Sequence, residues 1–533
     1  MRGGPPDGVG SDAVPGNPRP QAVTPIRLAD LAARVAAGPA TRADLASAEL
    51  PPGGAEVTVT GITHASGEVR PGDLYAALPG ARRHGAEFVP AVAAAGAVAV
   101  LTDPAGAAAA AEAGLPALVV PDPRAVLGEL ASAIYGDPTA GLTVIGITGT
   151  AGKTSTSYLI ESGLRAAGHV TGLIGTVECR LGDLVVDSVR TTPEATDLHA
   201  MLAAARERGV TAVAMEVSSH ALVLGRVGGV RFTVGGYTNF GHDHLDFHAD
   251  VADYFAAKAR LFDGRCAAEV LNHDDPALRP LRKPTTVTYS AAGDPDATWR
   301  AERITDVGYT QTFTAYGPDG VAVEAAVALP GRHNVANALL AIATLVAAGV
   351  DPAVAAAGVA ACPGVPGRLE LVDAPGPVRG VVDFAHTPDA TVAALTALRE
   401  LTGADHRLIC VLGSGGDRDQ GKRALMGAAA ARGADLVVVT DDNPRSEDPA
   451  VIRAAVRRGA EEAGTPARIV EVGGRRAAIT EAVRLAEPGD VVAVLGKGHE
   501  RGQEIGNRVE PFDDRVELAT ALAARFDTLV EQR

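Results

Sequence analysis

The sequence predicts an α/β fold, and three observations support this prediction. In the last third of the chain, short apolar runs such as HRLICVLG, DLVVVTDD and DVVAVLGKG alternate with helical segments. Near-continuous apolar strands of this kind are typical of a parallel sheet that is covered on both faces. Polar residues follow each run, at the edge where open α/β sheets bind their ligands. Earlier in the chain, the run 142–148 leads through a glycine-rich loop into an amphipathic helix.

Composition and breaks in the pattern divide the 533 residues into segments. This length, with 47% hydrophobic residues, is sufficient for several domains with cores of their own. Residues 1–25 contain eleven Gly or Pro and no periodicity, so we expect a disordered tail there. The breaks near residues 139 and 364 then predict three domains over 26–139, 140–364 and 365–533.

Charge and cysteine usage exclude several classes of protein. A net charge of −16 argues against a nucleic-acid partner, because neutralising phosphates requires a basic surface. The four cysteines lie far apart without a C-x-x-C pair, which predicts neither a disulfide framework nor a zinc site. The longest apolar run, 92–101, is too short to span a bilayer, and the start lacks a secretion-signal pattern. We expect a cytoplasmic protein, a monomer, without membrane insertion.

Lysine is rare in this chain, which contains five lysines among 48 basic residues. Where arginine serves almost every surface role, a remaining lysine is a candidate for chemistry. Four of the five lie in the motifs described below, whereas Lys283 fits an ordinary surface position best. The five are Lys153, Lys258, Lys283, Lys422 and Lys497.

The loop in VIGITGTAGKTST predicts a nucleotide site. Gly149 and Gly152 allow a tight turn whose N–H groups face a phosphate, and the following helix adds its positive N-terminal end. Lys153 can reach β/γ-phosphates and the Thr154 hydroxyl can meet Mg²⁺. Ile147 stands where the usual spacing has its first glycine, so we interpret the loop as an ATP site of variant spacing. The structural alternative is a glycine-rich strand–helix turn.

Three further stretches carry candidate groups. Glu216 ends a strand in AMEVSSHAL, where a carboxylate could complete a magnesium shell beside phosphate oxygens. Ser218 could reach a substrate, although a serine that caps a helix is the commoner explanation. TNFGHDHLDFH, residues 238–248, could bind zinc, but a role with magnesium and ATP fits better, and a cluster of turn residues is the structural alternative. Lys258 lies among apolar helix residues, where an ordinary lysine snorkels to solvent.

These stretches, with others, resemble the Mur ligase family, and within it the MurE type that adds the third amino acid to UDP-N-acetylmuramoyl-L-alanyl-D-glutamate. The resemblance covers nearly all of the chain from Val57 onward. It also accounts for Ile147, since the family has the variant loop T-G-T-x-G-K-T. Ten blocks occur in order: GITGTAGKTST, EVSSHAL, TNFGHDHLDFH, YFAAKARLF, GRHNVANALLA, GRLE, VDFAHTPDA, GSGGDRDQGKR, DNPRSEDP and GKGHE.

The resemblance implies an architecture and a set of site residues. The three α/β domains would be an N-terminal UDP-binding domain, a central P-loop ATPase-like domain and a C-terminal Rossmann-like domain that receives the amino acid. The implied catalytic residues are Lys153, Glu216, Lys258 and His244. The implied magnesium ligands are Thr154, Glu216, His244 and Lys258, the last as a carbamate whose anionic oxygen can bind the metal. The implied ATP-binding residues are Gly149, Thr150, Gly152, Lys153, Thr154, Ser155, His333, Asn334, Asn337, Arg368 and Asp383.

The resemblance also implies residues for the two other substrates. Those for the UDP-linked dipeptide are Ser66, Thr191, Thr192, Ser218 and Arg226. The family's Asp-Ser-Arg is replaced here by Ala65-Ser66-Gly67, a departure in the uridine pocket. Those for the incoming amino acid are Arg418, Asp442, Asn443, Pro444, Arg445, Gly496 and Glu500.

Arg445 in the D-N-P-R motif indicates which amino acid is added. Meso-diaminopimelate differs from lysine by one carboxylate, and arginine binds such a group bidentately. The resemblance places Glu500 at the distal amine of the same substrate. The structural alternative for Arg445 is a surface ion pair with Glu447 or Asp448.

The resemblance therefore implies ATP-dependent ligation of meso-diaminopimelate to UDP-N-acetylmuramoyl-L-alanyl-D-glutamate in peptidoglycan precursor synthesis, through an acyl phosphate. A lysine-adding ligase would share nearly every motif. Another Mur ligase or a folylpolyglutamate synthase would lack D-N-P-R. An inactive nucleotide-binding scaffold would lose Lys153, Glu216 or Lys258, and all three are present.

Overall fold

The computed structural model describes residues 17–37, 54–80, 82–241 and 243–530, with side chains described up to residue 526. The described chain forms two compact units. Unit 1 consists of the described residues up to Gly146 together with His169–Thr233 and Asp263–Ala267. Unit 2 consists of Ile147–Gly168, Val234–Phe262 and the described residues from Ala268 onward. The domain boundaries expected at residues 139 and 364 stay a prediction.

The first described segment, residues 17–25, has neither helix nor strand but makes specific contacts in unit 1. The Arg19 guanidinium donates to both carboxylate oxygens of Asp73 at 2.8 Å. Two backbone N–H groups of the segment donate to Glu207 at 2.8 and 3.0 Å. We expect disorder over residues 1–25, but residues 17–25 differ from this expectation, because Arg19 binds the buried carboxylate of Asp73. The first sixteen residues of that expected tail lie outside the described residues.

A four-stranded parallel sheet and a preceding two-stranded antiparallel pair belong to unit 1. Fully buried leucines from helix and sheet, including Leu28, Leu74 and Leu101, form one core between them. The strands are β1 (Ile26–Arg27), β2 (Thr58–Val59), β3 (Gly61–Thr63), β4 (Asp73–Ala77), β5 (Ala99–Thr102) and β6 (Ala117–Val119). The helices are α1 (Leu28–Ala36), α2 (Val89–Ala94), α3 (Ala107–Glu112) and α4 (Pro123–Ile134).

The central part of the chain alternates between the two units, and three of its strands have residues in both. The strands are β7 (Thr143–Thr148), β8 (Thr171–Ile174), β9 (Glu178–Leu181), β10 (Leu184–Asp187), β11 (Ala212–Glu216), β12 (Phe232–Tyr237), β13 (Cys266–Asn272), β14 (Val287–Ser290), β15 (Trp299–Val307), β16 (Thr310–Tyr316) and β17 (Ala322–Val327). The helices are α5 (Lys153–Ala166), α6 (Ala195–Glu207), α7 (Ser219–Val223), α8 (Val251–Ala259), α9 (Arg332–Ala347) and α10 (Pro352–Ala360).

Strand order within each unit follows from the pairing. Unit 1 has the order β10-β9-β8-β11, in which β8 and β11 are parallel and the two hairpin pairs are antiparallel. Unit 2 has the order β13-β14-β15-β16-β17, which ends in antiparallel pairs. The alternating patterns of residues 308–330 thus form the antiparallel pair β16–β17, and the apolar pattern of residues 333–349 forms α9, as the sequence indicates.

The C-terminal part of unit 2 is a six-stranded sheet with the order β18-β19-β23-β20-β21-β22, in which every pair but β18–β19 is parallel. The strands are β18 (Glu370–Val372), β19 (Arg379–Asp383), β20 (Leu408–Leu412), β21 (Leu436–Val439), β22 (Arg468–Glu471) and β23 (Val491–Leu495), followed by the hairpin β24 (Gly502–Ile505) and β25 (Arg508–Pro511). The helices are α11 (Pro388–Thr402), α12 (Lys422–Gly433), α13 (Pro449–Glu462), α14 (Arg475–Leu485) and α15 (Asp514–Val530).

Alternate residues of one strand enter different cores of this sheet. Leu408 and Cys410 pack in one buried cluster, whereas Ile409 and Val411 pack in another. Since successive side chains of a strand point to opposite faces, helices must cover both faces of the sheet. The predicted α/β class and the doubly covered parallel sheet are confirmed. Among the described helices, none combines the length and apolar character that crossing a membrane requires.

Candidate functional site

The loop between β7 and α5 is a turn that only glycine can form at two positions. Gly149 and Gly152 have φ of +144° and +85°. A Cβ on Gly149 would lie 1.8 Å from the Thr238 hydroxyl oxygen, and one on Gly152 would lie 2.4 Å from Asn337 Oδ1. Side chains are excluded by both the backbone conformation and the space. The N–H of Thr150 donates to the Asn239 carbonyl at 2.8 Å, so this predicted phosphate-facing amide has a partner within the protein.

Two lysines meet at this loop. Lys153, the first residue of α5, donates through Nζ to the carbonyl oxygens of Gly149 and Thr150, both at 2.9 Å. Lys258 lies on α8 with 1% of its surface exposed, and its Nζ donates to the same Gly149 oxygen at 2.7 Å. Burial, and then the charge of Lys153, hold the pKa of Lys258 well below its usual value, against the opposing charge of Asp243. Lys258 does not snorkel to solvent, so that alternative is wrong.

Asp243 interacts electrostatically with several titratable groups of this region. The sequence motifs assign no specific role to it. Burial raises its pKa, but His244, His386 and Lys153 outweigh burial and lower the pKa overall. His244 has φ +55°, and its Nε2 lies 3.5 Å from the Asp243 carboxylate. Within the described ranges, no cluster of three or more His, Cys, Asp or Glu side chains is spaced to hold a metal ion. A metal site at His244 therefore needs other donor types.

Glu216 ends β11 in unit 1, where its carboxylate is tightly held. It accepts hydrogen bonds from the backbone N–H and the hydroxyl of Thr176 at 2.7 and 3.0 Å. Thr191 Oγ1 lies 3.0 Å from the Thr176 hydroxyl oxygen, and the Thr192 hydroxyl donates to the Glu216 carbonyl at 2.8 Å. Ser218 caps α7 by accepting from a backbone N–H, as its structural alternative describes. Glu216 and the two threonines assigned to the dipeptide thus lie together.

Arg226 and Ser66 are the other dipeptide residues in unit 1. The Arg226 guanidinium lies 2.8 Å from Glu194 and donates to the Thr192 carbonyl at 3.3 Å. Glu194 also lies 3.4 Å from Arg124 and 3.9 Å from Arg190, so it pairs with three arginines, and no sequence motif points to it. Ser66 begins a single 3-10 turn and is partly exposed.

The residues assigned to ATP beyond the loop lie in unit 2. Asn337 donates to Asn334 Oδ1 at 3.0 Å on α9, and burial lowers the pKa of His333 to about 4. An open cavity of about 740 Å³ adjoins His333. Arg368 donates to the Thr154 hydroxyl at 3.1 Å, which brings two of the assigned residues together.

Two remaining ATP residues have structural roles that the contacts show. Ser155 is buried on α5. The Asp383 carboxylate accepts from the backbone N–H groups of Leu369 and Ala385 at 2.7 and 2.8 Å. Burial raises the pKa of Asp383, although Arg368 and these N–H groups oppose the rise. Asp383 therefore fixes the backbone that precedes β18 and the backbone that follows β19.

The D-N-P-R segment lies between β21 and α13, at the carboxyl edge of the parallel sheet. Arg445 donates through Nε to Glu504 Oε2 at 2.6 Å and through Nη1 to the Gly416 carbonyl at 2.8 Å. Arg445 therefore forms its ion pair with Glu504, and not with Glu447 or Asp448 as the structural alternative has it. Glu447 binds Arg423 at 2.8 Å, and Asp448 caps α13.

A buried lysine links this segment with the end of β23. Lys497 is fully buried, and its Nζ donates to Asn443 Oδ1 at 2.9 Å and to Glu500 Oε2 at 2.8 Å. Asn443 donates to the same Glu500 oxygen at 2.9 Å. A Cβ on Gly496 would lie 2.4 Å from Asp442 Oδ2, which explains a glycine there. The feature of the sequence that points to Lys497 is the small number of lysines in this chain.

Arg418 and Pro444 complete the set assigned to the amino acid. Arg418 is mostly exposed and lies 3.8 Å from Asp246. The Pro444 carbonyl oxygen lies 2.0 Å from where a Cβ on Gly416 would stand, so the two backbones are in close approach. The structure thus joins Asn443 with Glu500, and Arg445 Nη1 and Arg418 Cγ lie 3.1 and 4.0 Å from where a Cβ on Gly415 would stand.

Comparisons with known proteins find relatives over most of the chain. Three family models match successive segments: "Mur ligase family, catalytic domain" over residues 58–135, "Mur ligase middle domain" over 147–345 and "Mur ligase, glutamate ligase domain" over 367–498. A UDP-N-acetylmuramoyl-L-alanyl-D-glutamate–2,6-diaminopimelate ligase of Streptomyces coelicolor is 55% identical over 516 residues, which cover 95% of this chain and 98% of the relative.

Two further relatives carry the same name. The protein of Corynebacterium glutamicum is 47% identical over 85% of this chain and 90% of its own length. A solved structure of such a ligase has 32% identity and a TM-score of 0.62, and the match covers 88% of this chain and 95% of that one. On the identity and coverage of these matches, this chain belongs to the Mur ligase family.

Proposed function

We propose that this protein is an ATP-dependent ligase that joins meso-diaminopimelate to UDP-N-acetylmuramoyl-L-alanyl-D-glutamate. The names of the relatives at 55% and 47% identity support the reaction class and both substrates. The observation that carries the choice of amino acid is the setting of Arg445. It lies in D-N-P-R at the carboxyl edge of the parallel sheet, beside Asn443 and Glu500. A guanidinium there suits a substrate that has a second carboxylate.

The proposed reaction has two stages. The γ-phosphoryl group of ATP moves to the side-chain carboxylate of D-glutamate, and the resulting acyl phosphate is attacked by an amine of diaminopimelate with release of phosphate. Phosphoryl transfer depends on positioning and charge neutralisation more than on covalent help from the protein. The loop around Gly149 and Gly152 would hold the phosphates, and the Lys153 ammonium would neutralise charge on the transferring group.

The proposal includes magnesium. Among the residues that would hold the metal, the buried Lys258 has surroundings that suit this role. Thr154, Glu216 and His244 would hold the metal together with a carbamate on Lys258. A buried amine with a lowered pKa is neutral enough to add CO₂, and the carbamate would supply an anionic oxygen where an ammonium would repel the metal. When bound, the metal would contribute positive charge opposite the phosphate oxygens.

Three broader assignments also belong to the proposal. The chain would form an N-terminal UDP-binding domain over residues 26–139, a central ATP-binding domain over 140–364 and a C-terminal amino-acid-binding domain over 365–533. It would act as a monomer. It would act in the cytoplasm, which the four buried cysteine thiols support because reducing compartments keep thiols reduced.

The test offers the purified protein the UDP-dipeptide and ATP with either meso-diaminopimelate or L-lysine, and measures phosphate release and product mass. The expected result is phosphate release only when all three substrates are present, with a clear preference for diaminopimelate. Equal or better use of lysine would assign the lysine-adding activity instead. Absence of phosphate release with both amino acids would indicate an inactive scaffold.

A further inference from the structure

The hairpin β24–β25 holds the backbone of Arg445. The Arg445 N–H donates to the Glu504 carbonyl at 3.0 Å, and the Gly506 N–H donates to the Arg445 carbonyl at 2.7 Å. Arg445 and Ile505 form an isolated parallel bridge in this way. Arg445 has φ +51°, a conformation that is costly for any residue with a Cβ. The two backbone hydrogen bonds therefore stabilise a loop geometry that arginine disfavours.

The same hairpin fixes the Arg445 side chain through Glu504. Glu504 Oε2 accepts from Nε, while the Gly416 carbonyl accepts from Nη1. Neither of these two hydrogen bonds uses Nη2. A carboxylate on Nε and a carbonyl on Nη1 fix the plane of the guanidinium and leave one terminal nitrogen for a ligand. Arg445 is about a fifth exposed and Glu504 about half, so a ligand can approach the pair.

Glu504 is itself placed by the buried polar group beneath it. Its backbone N–H donates to Asn443 Oδ1 at 3.0 Å, and that oxygen also accepts from Lys497. Because Lys497 is fully buried, its position is set by packing rather than by solvent. The chain of contacts runs from Lys497 through Asn443 to Glu504 and ends at the Arg445 guanidinium.

We propose that Glu504 is a positioning residue that determines specificity for diaminopimelate by orienting Arg445 toward the carboxylate that lysine lacks. This inference rests on the proposed function, and it assigns to Glu504 a role that neither the motifs nor the family resemblance indicates. An arginine loses less rotamer freedom on binding a carboxylate when a second partner already fixes its plane. Without Glu504, Arg445 would stay charged but would have to be ordered by the substrate itself.

The test compares Glu504→Ala and Glu504→Gln with the wild type, using meso-diaminopimelate and L-lysine as alternative substrates. Glu504→Ala should raise the KM for diaminopimelate about tenfold, the loss of one well-oriented charge-assisted hydrogen bond. Its kcat, its KM for ATP and its weak use of lysine should stay unchanged, since lysine does not reach Arg445. Glu504→Gln should keep most of the affinity, because the amide oxygen still accepts from Nε. Glu510→Ala removes the same charge from an exposed position of the same hairpin and is the matched control.

Three results would overturn the inference while leaving the proposed function intact. The first is an unchanged or lower KM for diaminopimelate in Glu504→Ala. The second is an equal loss with both amino acids, which would indicate a merely structural role. The third is a further loss when Glu504→Ala is added to Arg445→Ala, because Glu504 should act only through that arginine. A wild-type protein that uses lysine alone would overturn the inference together with the proposed function.

Discussion

Lys153 and Lys258 donate to one and the same oxygen atom, the carbonyl of Gly149, at 2.9 and 2.7 Å. Two ammonium groups on one carbonyl repel each other, and burial disfavours the charged form of Lys258 still further. Both effects disfavour the ammonium form of Lys258. A neutral buried amine is the chemical precondition for the carbamate, which connects this geometry with the proposed metal site.

Lys258→Ala should therefore abolish most ligase activity, and short-chain carboxylates should restore part of it. Removal of a charged oxygen beside the transferring phosphate should cost about 100-fold in kcat, or about 2.7 kcal/mol. Added acetate or propionate can supply an anionic oxygen in the space that the side chain leaves. Initial rates with and without carboxylate measure the rescue, and Lys283→Ala, at a half-exposed lysine, is the control. Normal turnover of Lys258→Ala without rescue would refute the carbamate.

Gly152 and Gly168 form a matched pair for testing the phosphate loop. Their φ angles are +85° and +88°, so alanine costs about 1 to 2 kcal/mol of backbone strain at either position. Only at Gly152 does the new Cβ also meet a side chain, Asn337 Oδ1 at 2.4 Å, whereas nothing lies within 4 Å of it at Gly168. Gly152→Ala should raise the KM for ATP at least about tenfold. Gly168→Ala should lower thermal stability slightly with ATP kinetics intact, and equal kinetic effects would contradict a special role of the loop.

Local patterns in the sequence predicted much of the fold. The apolar runs of β19, β20, β21 and β23 are recognisable because both of their faces are buried, which removes polar alternation. The order in which these strands pair is a different matter. β23 lies between β19 and β20 although it follows both in the chain, and a window of ten residues contains no information on such long-range pairing.

The site shows the same division between local and long-range signals. Motifs indicated Lys153, Glu216 and Arg445, because each lies at or after the end of a strand, in a short pattern that is typical of a chemical role. Glu504 carries no such pattern, since its contact with Arg445 depends on a hairpin that begins 57 residues later in the chain. For Arg445, the sequence suggests only the nearby Glu447 and Asp448 as ion-pair partners. Long-range ion pairs of this kind require the fold.

Lys497→Met should weaken binding of the amino acid whether or not it has a second carboxylate. The ammonium is fully buried between Asn443 and Glu500, so its loss removes one of two hydrogen-bond donors from each of these acceptors. The KM values for diaminopimelate and for lysine should rise together, by about 10- to 100-fold, because Glu500 is assigned to an amine that both substrates have. Lys283→Met is the control, and steady-state kinetics with both amino acids measure the effect. A loss confined to diaminopimelate would show that Lys497 acts through Arg445 alone.

Arg475 and Asp514 test whether a buried ion pair stabilises the edge of the sheet that carries the site. Both side chains are fully buried, and the guanidinium donates to both carboxylate oxygens at 2.7 Å. It also donates to the carbonyl oxygens of Leu495 and Asp441 at 2.9 and 3.2 Å. These two carbonyls precede the segments that contain Lys497 and Arg445. The pair therefore connects α14 and α15 to the ends of two strands.

Asp514→Ala should lower the thermal midpoint of the C-terminal part by about 6 °C or more, because a buried guanidinium without its partner costs about 3 to 5 kcal/mol. The neighbouring pair Arg476–Glu517 joins the same two helices with the same 2.7 Å distances, but its arginine is 67% exposed. Glu517→Ala should consequently cost less than about 1 kcal/mol. Differential scanning calorimetry of the two variants isolates burial as the variable. If both midpoints fall equally, burial is not what gives the Arg475–Asp514 pair its importance.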